Sequence, residues 1–200
     1  MIGRGQLEEE KQTGITITHK PAIIWMTGLC GSGKTALANQ VVHELIVRGY
    51  GAVGLDGDEL RKGLCSDLGY SLSDRSENVE RVGEVAKLLL EKTQAFVVVS
   101  MISPLHIDRD MIRYSVEEHQ FIEVYMNATI EYCIKVDAKG NYAKAKEGKL
   151  KSFTGITSPY EPPKDPELSF NIEVHDIELV CIRNIMAVLT KRGNIPEGFL

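Results

Sequence analysis

The chain has 200 residues, with 23 Lys and Arg against 28 Asp and Glu and a net charge of −5 at pH 7. That length corresponds to one domain or two small ones. The acidic balance argues against a nonspecific nucleic-acid binder, whose surface is normally strongly basic.

At 43% hydrophobic and 26% charged residues, the composition is ordinary for a soluble globular chain, which needs no disulfide or metal staples at this size. The longest uncharged apolar run, Ala95–Leu105, is far shorter than the roughly 20 residues that cross a bilayer. The polar start MIGRGQLEEEKQTG does not read as a secretory signal. Cys30, Cys65, Cys133 and Cys181 lie far apart without CxxC spacing, and the histidines at 19, 43, 106, 119 and 175 show no metal-ligand spacing. A reducing cytoplasm is the expectation, with neither a disulfide framework nor a zinc site.

Met1–Lys20 reads as a flexible leader ahead of a single domain over residues 21–200. Ala22–Thr27 is a short apolar run bounded by Pro21 and a glycine-rich stretch, which predicts a buried strand. Thr35–Val47 places Leu37, Val41, Val42 and Leu45 at helical spacing, stopped by Arg48-Gly49. A second strand is expected over Gly51–Asp56 and a brief helix over Asp58–Gly63. Asp74–Lys92 carries Val79, Val82, Ala86 and Leu89 at 3-4-3 spacing, with Asp74 and Glu77 as capping residues. Ala95–Ser100, Phe121–Met126 and Phe170–His175 predict three further strands. Helices are expected over Ile107–Glu118, Thr129–Val136 and Ile177–Thr190. Asp137–Pro166, rich in Lys, Gly and Pro, breaks the rhythm; composition alone reads it as a solvated basic loop, and about residues 137–166 are the candidate basic lid. The alternation predicts an α/β domain, a parallel five-stranded sheet with helices on both faces, and the GxxxxGK[ST] match at Gly28–Thr35 makes it one of the P-loop nucleoside-triphosphate type.

Gly28-Leu29-Cys30-Gly31-Ser32-Gly33-Lys34-Thr35 matches GxxxxGK[ST] between a buried strand and a helix. Such glycines let successive backbone N–H groups face an anion, and the helix start adds positive potential. Lys34 is placed to reach the β- and γ-phosphates of ATP, and the Thr35 hydroxyl to ligate Mg²⁺. No NKxD-type guanine-reading motif is present. The strand that would normally end in a second magnesium carboxylate ends in Ser100. Asp56 and Asp58, at the end of the second strand, are the carboxylates available to hold Mg²⁺ or take a proton from an attacking hydroxyl. Asp-Gly is also a common turn, so the motif alone leaves an ordinary turn open.

IIWMTGLCGSGKTALA, LDGDELRKGLCSDLGYSLSDRSENVERVGEVAKLL, VVVSMISP with DRDMIR, and KGNYAKAKEGKLKSFTGITSPYEPP together resemble the adenylylsulfate kinase (APS kinase) family. These blocks cover roughly Ile23–Pro163, in order and at family-like spacing. The resemblance implies transfer of the γ-phosphoryl group of MgATP to the 3′-hydroxyl of adenosine 5′-phosphosulfate. It places Arg61, Arg75 and Asn78 in the acceptor site, with the two arginines toward the phosphosulfate, and Ile102 beside them. Arginine's fork suits tetrahedral oxyanions. Composition alone reads these arginines as solvated helix charges.

By the same resemblance Tyr70 and Phe153 sandwich the acceptor adenine, with Tyr70 standing where the family more often has Phe. Asp58 orients Mg²⁺ and the 3′-hydroxyl with Asp56 in support. Ser103 matches a serine often described as a phosphorylated intermediate, although direct transfer with Ser103 orienting the acceptor is the favoured reading. Lys139 maps onto a lid position within Lys135–Lys151, where six lysines face two carboxylates for a local charge of +4.

Three departures stand out. Val136 replaces an arginine that covers the ATP adenine, Leu105 replaces a tyrosine, and Cys30 stands where serine is commoner, read as a small filler, with enhanced thiol reactivity at a helix N-terminus as the alternative. The family suggests a homodimer. A related kinase with another modified-nucleotide acceptor, and a nucleotide-binding regulatory domain without turnover, are the alternative readings.

Overall fold

In the computed structural model, residues 19–174 and 177–197 are described. The expected leader therefore lies almost wholly outside the described residues, as does His175 at the end of one expected strand.

Strand β1 (Ile23–Thr27) is buried along its whole length and sits at the middle of the sheet. On one side it pairs in parallel with β3 (Phe96–Ser100), on the other with β4 (Phe121–Asn127). The first helix is α1 (Lys34–Val47), and β2 (Ala52–Asp56) pairs with β3 at one edge. At the other edge β5 (Leu168–Asn171) pairs with β4, giving the order β2-β3-β1-β4-β5, all parallel. The order reverses around β1, so a crevice opens beyond the carboxyl ends of β1, β3 and β4. Open α/β sheets bind ligands at this point.

A strand buried on both faces sends alternate side chains to two cores. Ile24 and Met26 join Leu37, Val41 and Leu45 of α1 and Ile185 and Leu189 of α7 (Ile177–Lys191). Ile23 and Trp25 join Val79, Val82 and Ala86 of α3 (Leu72–Thr93) and Ile112 of α4 (His106–Tyr114). Each fully buried large apolar side chain contributes about 1.5–3 kcal/mol. Gly83 marks where α3 and α4 touch, because a methyl group there would overlap Ile112 Cδ1.

Several boundaries differ from expectation. The Ser71 side chain caps α3 by accepting from the Asp74 amide, so the helix starts two residues before Asp74, and Glu77 instead pairs with Arg81 at 2.8 Å. α4 stops at Tyr114, and Glu118–Gln120 forms a separate 3₁₀ turn capped reciprocally by Glu117 and Gln120. The short α2 spans Gly57–Leu60, and α5 spans Ile130–Lys135. α6 (Asn141–Lys146) lies inside the segment expected to be irregular. Its lysines hide a short apolar stripe, Tyr142 and Ala145, spaced three apart and buried. β5 begins two residues before Phe170 because its register is set by pairing Val124 with Leu168.

Candidate active site

The β1–α1 loop holds the phosphate-binding sequence in an open curl. Gly28 has φ 152°, and a Cβ there would stand 2.7 Å from the Met126 carbonyl oxygen, so no other residue fits. Lys34 is buried and folds back on its own loop, donating to the Leu29 carbonyl at 2.6 Å and the Ser32 hydroxyl at 3.2 Å. Burial drops its pKa to about 8, against the upward pull of Cys30, Cys133, Asp58 and Asp56. A buried lysine short of counter-charge gains from an anion placed beside it.

Asp56 closes the site from below. Its Oδ2 accepts from the Thr35 hydroxyl and the Ser100 hydroxyl, each at 2.7 Å. Its Oδ1 accepts from the amides of Asp58 at 2.8 Å and Glu59 at 3.2 Å. Burial alone would raise this carboxyl, but the four donors outweigh it and hold Asp56 below the usual carboxylate range. Asp56 and Ser100 face each other in the β2–β3 register. The carboxylate expected from the second strand is Asp56, and Ser100, which ends β3 without one, donates to it. That pairing is set by sheet order, which the local sequence around Ser100 does not encode. Thr35, Asp56 and Ser100 form a set of hard oxygen donors of the kind that suits Mg²⁺ alongside phosphates and water. Asp58 is exposed, and its charge reaches Lys34, Arg75 and Cys30.

The far side of the crevice is cationic. Arg61 stands over the Tyr70 ring, 4.6 Å from guanidinium carbon to centroid, and donates to the Gly69 carbonyl at 2.8 Å. Arg75 lies 5.4 Å from the same centroid and donates to the Tyr70 carbonyl at 3.2 Å and the Ser152 carbonyl at 3.1 Å. It is buried, forms no ion pair among the described residues, and burial followed by repulsion from Arg61 lowers its pKa. The Asn78 Nδ2 is buried without a hydrogen-bond partner. So is the Thr154 hydroxyl, which sequence reading did not single out and which nothing in the local pattern marks.

The structure thus brings Arg61, Tyr70 and Arg75 together and ties Phe153 to them through Ser152. Tyr70 is 54% exposed, and Phe153 meets Tyr142 edge-on at 4.9 Å and packs against the small apolar cluster of Leu29, Cys133 and Tyr142. Lys139 is exposed, and no contact joins its side chain to this group. Its carbonyl accepts from Lys144 Nζ at 3.0 Å. Ile102 and Ser103 form the loop after β3. The Ser103 hydroxyl is buried and accepts from the Trp25 indole N–H at 3.0 Å.

The departures are also placed. Val136 lines a cleft of about 240 Å³ with Gly31, Tyr132, Ile177 and Cys181, an apolar wall beside the phosphate loop. Leu105 occupies the N-cap position of α4 with no side-chain cap bond. Burial pushes the Cys30 thiol up despite the opposing charge of Lys34. The four cysteines are all free. Among the described residues no cluster of His, Cys, Asp and Glu suits a metal ion, and no helix is long and apolar enough to cross a membrane.

A parallel sheet whose central strand leads into a GxxxxGK[ST] loop, faced by a paired-arginine crevice, defines a phosphate-loop kinase. The family model for adenylylsulphate kinase matches residues 20–171. The chain belongs to the adenylylsulphate kinase family. It is 46% identical over 180 residues to the adenylyl-sulfate kinase of Prochlorococcus marinus, covering 90% of this chain and 87% of that protein. It is 48% identical over 160 residues to that of Bacillus licheniformis, covering 80% and 81%. The Mycobacterium tuberculosis APS kinase CysC, solved in complex with AMPPNP and APS, superposes with a TM-score of 0.77 at 37% identity, covering 86% of this chain and 98% of that one.

Proposed function

We propose that the chain transfers the γ-phosphoryl group of ATP to the 3′-hydroxyl of adenosine 5′-phosphosulfate, yielding the 3′-phosphorylated sulfate donor. Family membership supports the reaction class, and one local observation carries the acceptor. Arg75 is a buried cation without a carboxylate partner among the described residues, set with Arg61 around the Tyr70 ring. That arrangement suits a nucleotide whose sulfate-bearing tail needs two guanidinium forks and whose base needs a ring face.

Within this reading Gly28–Thr35 cradle the ATP phosphates, with Lys34 exchanging its loop carbonyl for phosphate oxygen. Thr35 and Asp56 would hold Mg²⁺, which neutralises phosphate charge when bound. Asp58, exposed between the two halves, orients the 3′-hydroxyl and accepts its proton as the new bond forms. Asn78 turns its free amide N–H groups to the acceptor, and Tyr70 with Phe153 stacks the base.

Transfer is direct: the Ser103 hydroxyl already bonds Trp25 inside the core, so it is poorly placed to attack. The basic segment of residues 137–166, Lys139 included, closes over the phosphates and keeps water from spending ATP. A magnesium-dependent, homodimeric, cytoplasmic enzyme is the setting the family resemblance supports.

The test is a coupled ADP-release assay with a panel of nucleotide acceptors. Adenosine 5′-phosphosulfate should give the highest kcat/KM. Turnover of another nucleotide with none for this compound would reassign the acceptor, and ATP binding without any turnover would favour a regulatory domain.

A further inference from the structure

The loop Ile102-Ser103-Pro104 between β3 and α4 has its carbonyls drawn inward. Thr27 Oγ1 donates to the Ile102 carbonyl at 2.7 Å, Arg109 Nη1 to the Ser103 carbonyl at 2.6 Å, and the Glu161 amide to the Pro104 carbonyl at 2.8 Å. Ser103 adopts φ 38°, a left-handed conformation that an L-residue with a side chain takes at a cost of about 1–3 kcal/mol. The amides of Ile102 and Ser103 have no partner within the described residues. Successive free N–H groups around a left-handed residue form a concave donor site.

Arg109 is what holds this loop. It is 2% exposed, and its guanidinium is spent almost completely. Nε donates to Glu123 at 2.7 Å, Nη1 to the Ser103 carbonyl, and Nη2 to the Glu161 carbonyl at 2.9 Å while meeting His106 Nδ1 at 3.0 Å. Glu123 in turn is fixed by Arg113 at 3.1 Å. One rigid fork thus binds the acceptor loop, the segment around Glu161 and strand β4. Lysine, a point charge on a flexible stem, cannot make these contacts at once.

We propose that Arg109 is a positioning residue for the acceptor: it fixes the Ser103 peptide so that the amides of Ile102 and Ser103 face the acceptor nucleotide. The inference rests on the acceptor reading given above. It requires no contact between Arg109 and substrate. Removing Arg109 lets the Ser103 peptide rotate, turns the donor pair away and leaves the phosphate loop intact.

The test uses the full chain carrying Arg109→Met, Arg109→Lys, and the double variant Arg109→Met with Glu123→Gln, which removes the carboxylate that Arg109 binds directly. Acceptor KM should rise on the order of 100-fold in both methionine variants. ATP KM should stay within about twofold, and Arg109→Lys should fall between. A readout independent of turnover comes from Trp25, the single tryptophan, whose indole N–H bonds Ser103. Its emission should shift in the methionine variants without any ligand.

Unchanged Trp25 emission together with unchanged acceptor KM overturns the proposal. So does a parallel rise of both KM values without partial rescue by lysine, which would mark a merely structural role. Wild-type chain inert toward adenosine 5′-phosphosulfate would instead defeat the acceptor reading, while the Trp25 signal still decides the role of Arg109 in holding the loop.

Discussion

The Thr35 hydroxyl donates to the Asp56 carboxylate at 2.7 Å, joining the first turn of α1 to the end of β2. These residues stand 21 apart in sequence, and sheet order brings them together below the phosphate loop. The same carboxylate oxygen receives Ser100, so three elements converge on one charge.

The two aspartates therefore separate under mutation. Asp56→Ala strips the partner from two hydroxyls and two amides and should cost about 1–3 kcal/mol, with ATP-dependent activity lost. Asp58→Ala, on an exposed carboxylate, should leave the melting temperature and ATP binding nearly unchanged while transfer falls at least about 100-fold. Thermal melts, ATP titration and ADP release together read the difference. Near-normal turnover in Asp58→Ala would remove Asp58 from the chemistry.

ATP affinity should fall as pH rises through about 8, where free Lys34 loses its proton. Bound phosphates favour the charged form, so between pH 7 and pH 9 the Kd should weaken by about tenfold. Stability of the free chain should move the other way. Because the folded pKa lies below the unfolded value of 10.5, the unfolded chain holds more protons between the two, and this group's contribution rises with pH across that window. Isothermal titration and urea melts at pH 7, 8 and 9 check both signs.

Arg75→Ala should raise acceptor KM by more than about tenfold while ATP KM changes little. Arg75→Lys should not restore it, since one ammonium cannot donate to both the Tyr70 and Ser152 carbonyls and still face an oxyanion. An unchanged acceptor KM in the alanine variant would take Arg75 out of the acceptor site.

Ser152 holds φ 56° with its carbonyl bound to Arg75. Glycine there relieves roughly 1–2 kcal/mol of left-handed strain and gives back roughly 0.5–1 kcal/mol in unfolded-chain entropy. Ser152→Gly should therefore stabilise the chain by about 0.5 kcal/mol, seen as a higher urea midpoint with an unchanged slope. A lower midpoint would mean that the serine side chain contributes more than its backbone conformation costs.

What the sequence made legible followed from local pattern. The buried run of β1, the 3.6-residue stripe of α1 and the glycine-rich loop each carry their signal within a few residues. The α/β class, the parallel sheet and the phosphate loop were readable for that reason. The partners of Asp56 were not, because Ser100 reaches it only through the β2–β3 register. Nor was the fork of Arg109, which gathers a carboxylate from β4 and carbonyls 6 and 52 residues away. α6 escaped because five of its six residues are Asn, Lys or Ala, and only Tyr142 and Ala145 are buried. Arg61 and Arg75 were marked by resemblance alone, since such arginines otherwise read as solvated helix charge.

The most direct measurement is the ³¹P NMR spectrum of a reaction started with equal amounts of ATP and adenosine 5′-phosphosulfate in magnesium buffer. A new phosphomonoester resonance on the 3′-position should grow in step with ADP, with little inorganic phosphate. ADP accompanied only by inorganic phosphate, or a spectrum indifferent to the phosphosulfate, would contradict phosphoryl transfer to this acceptor.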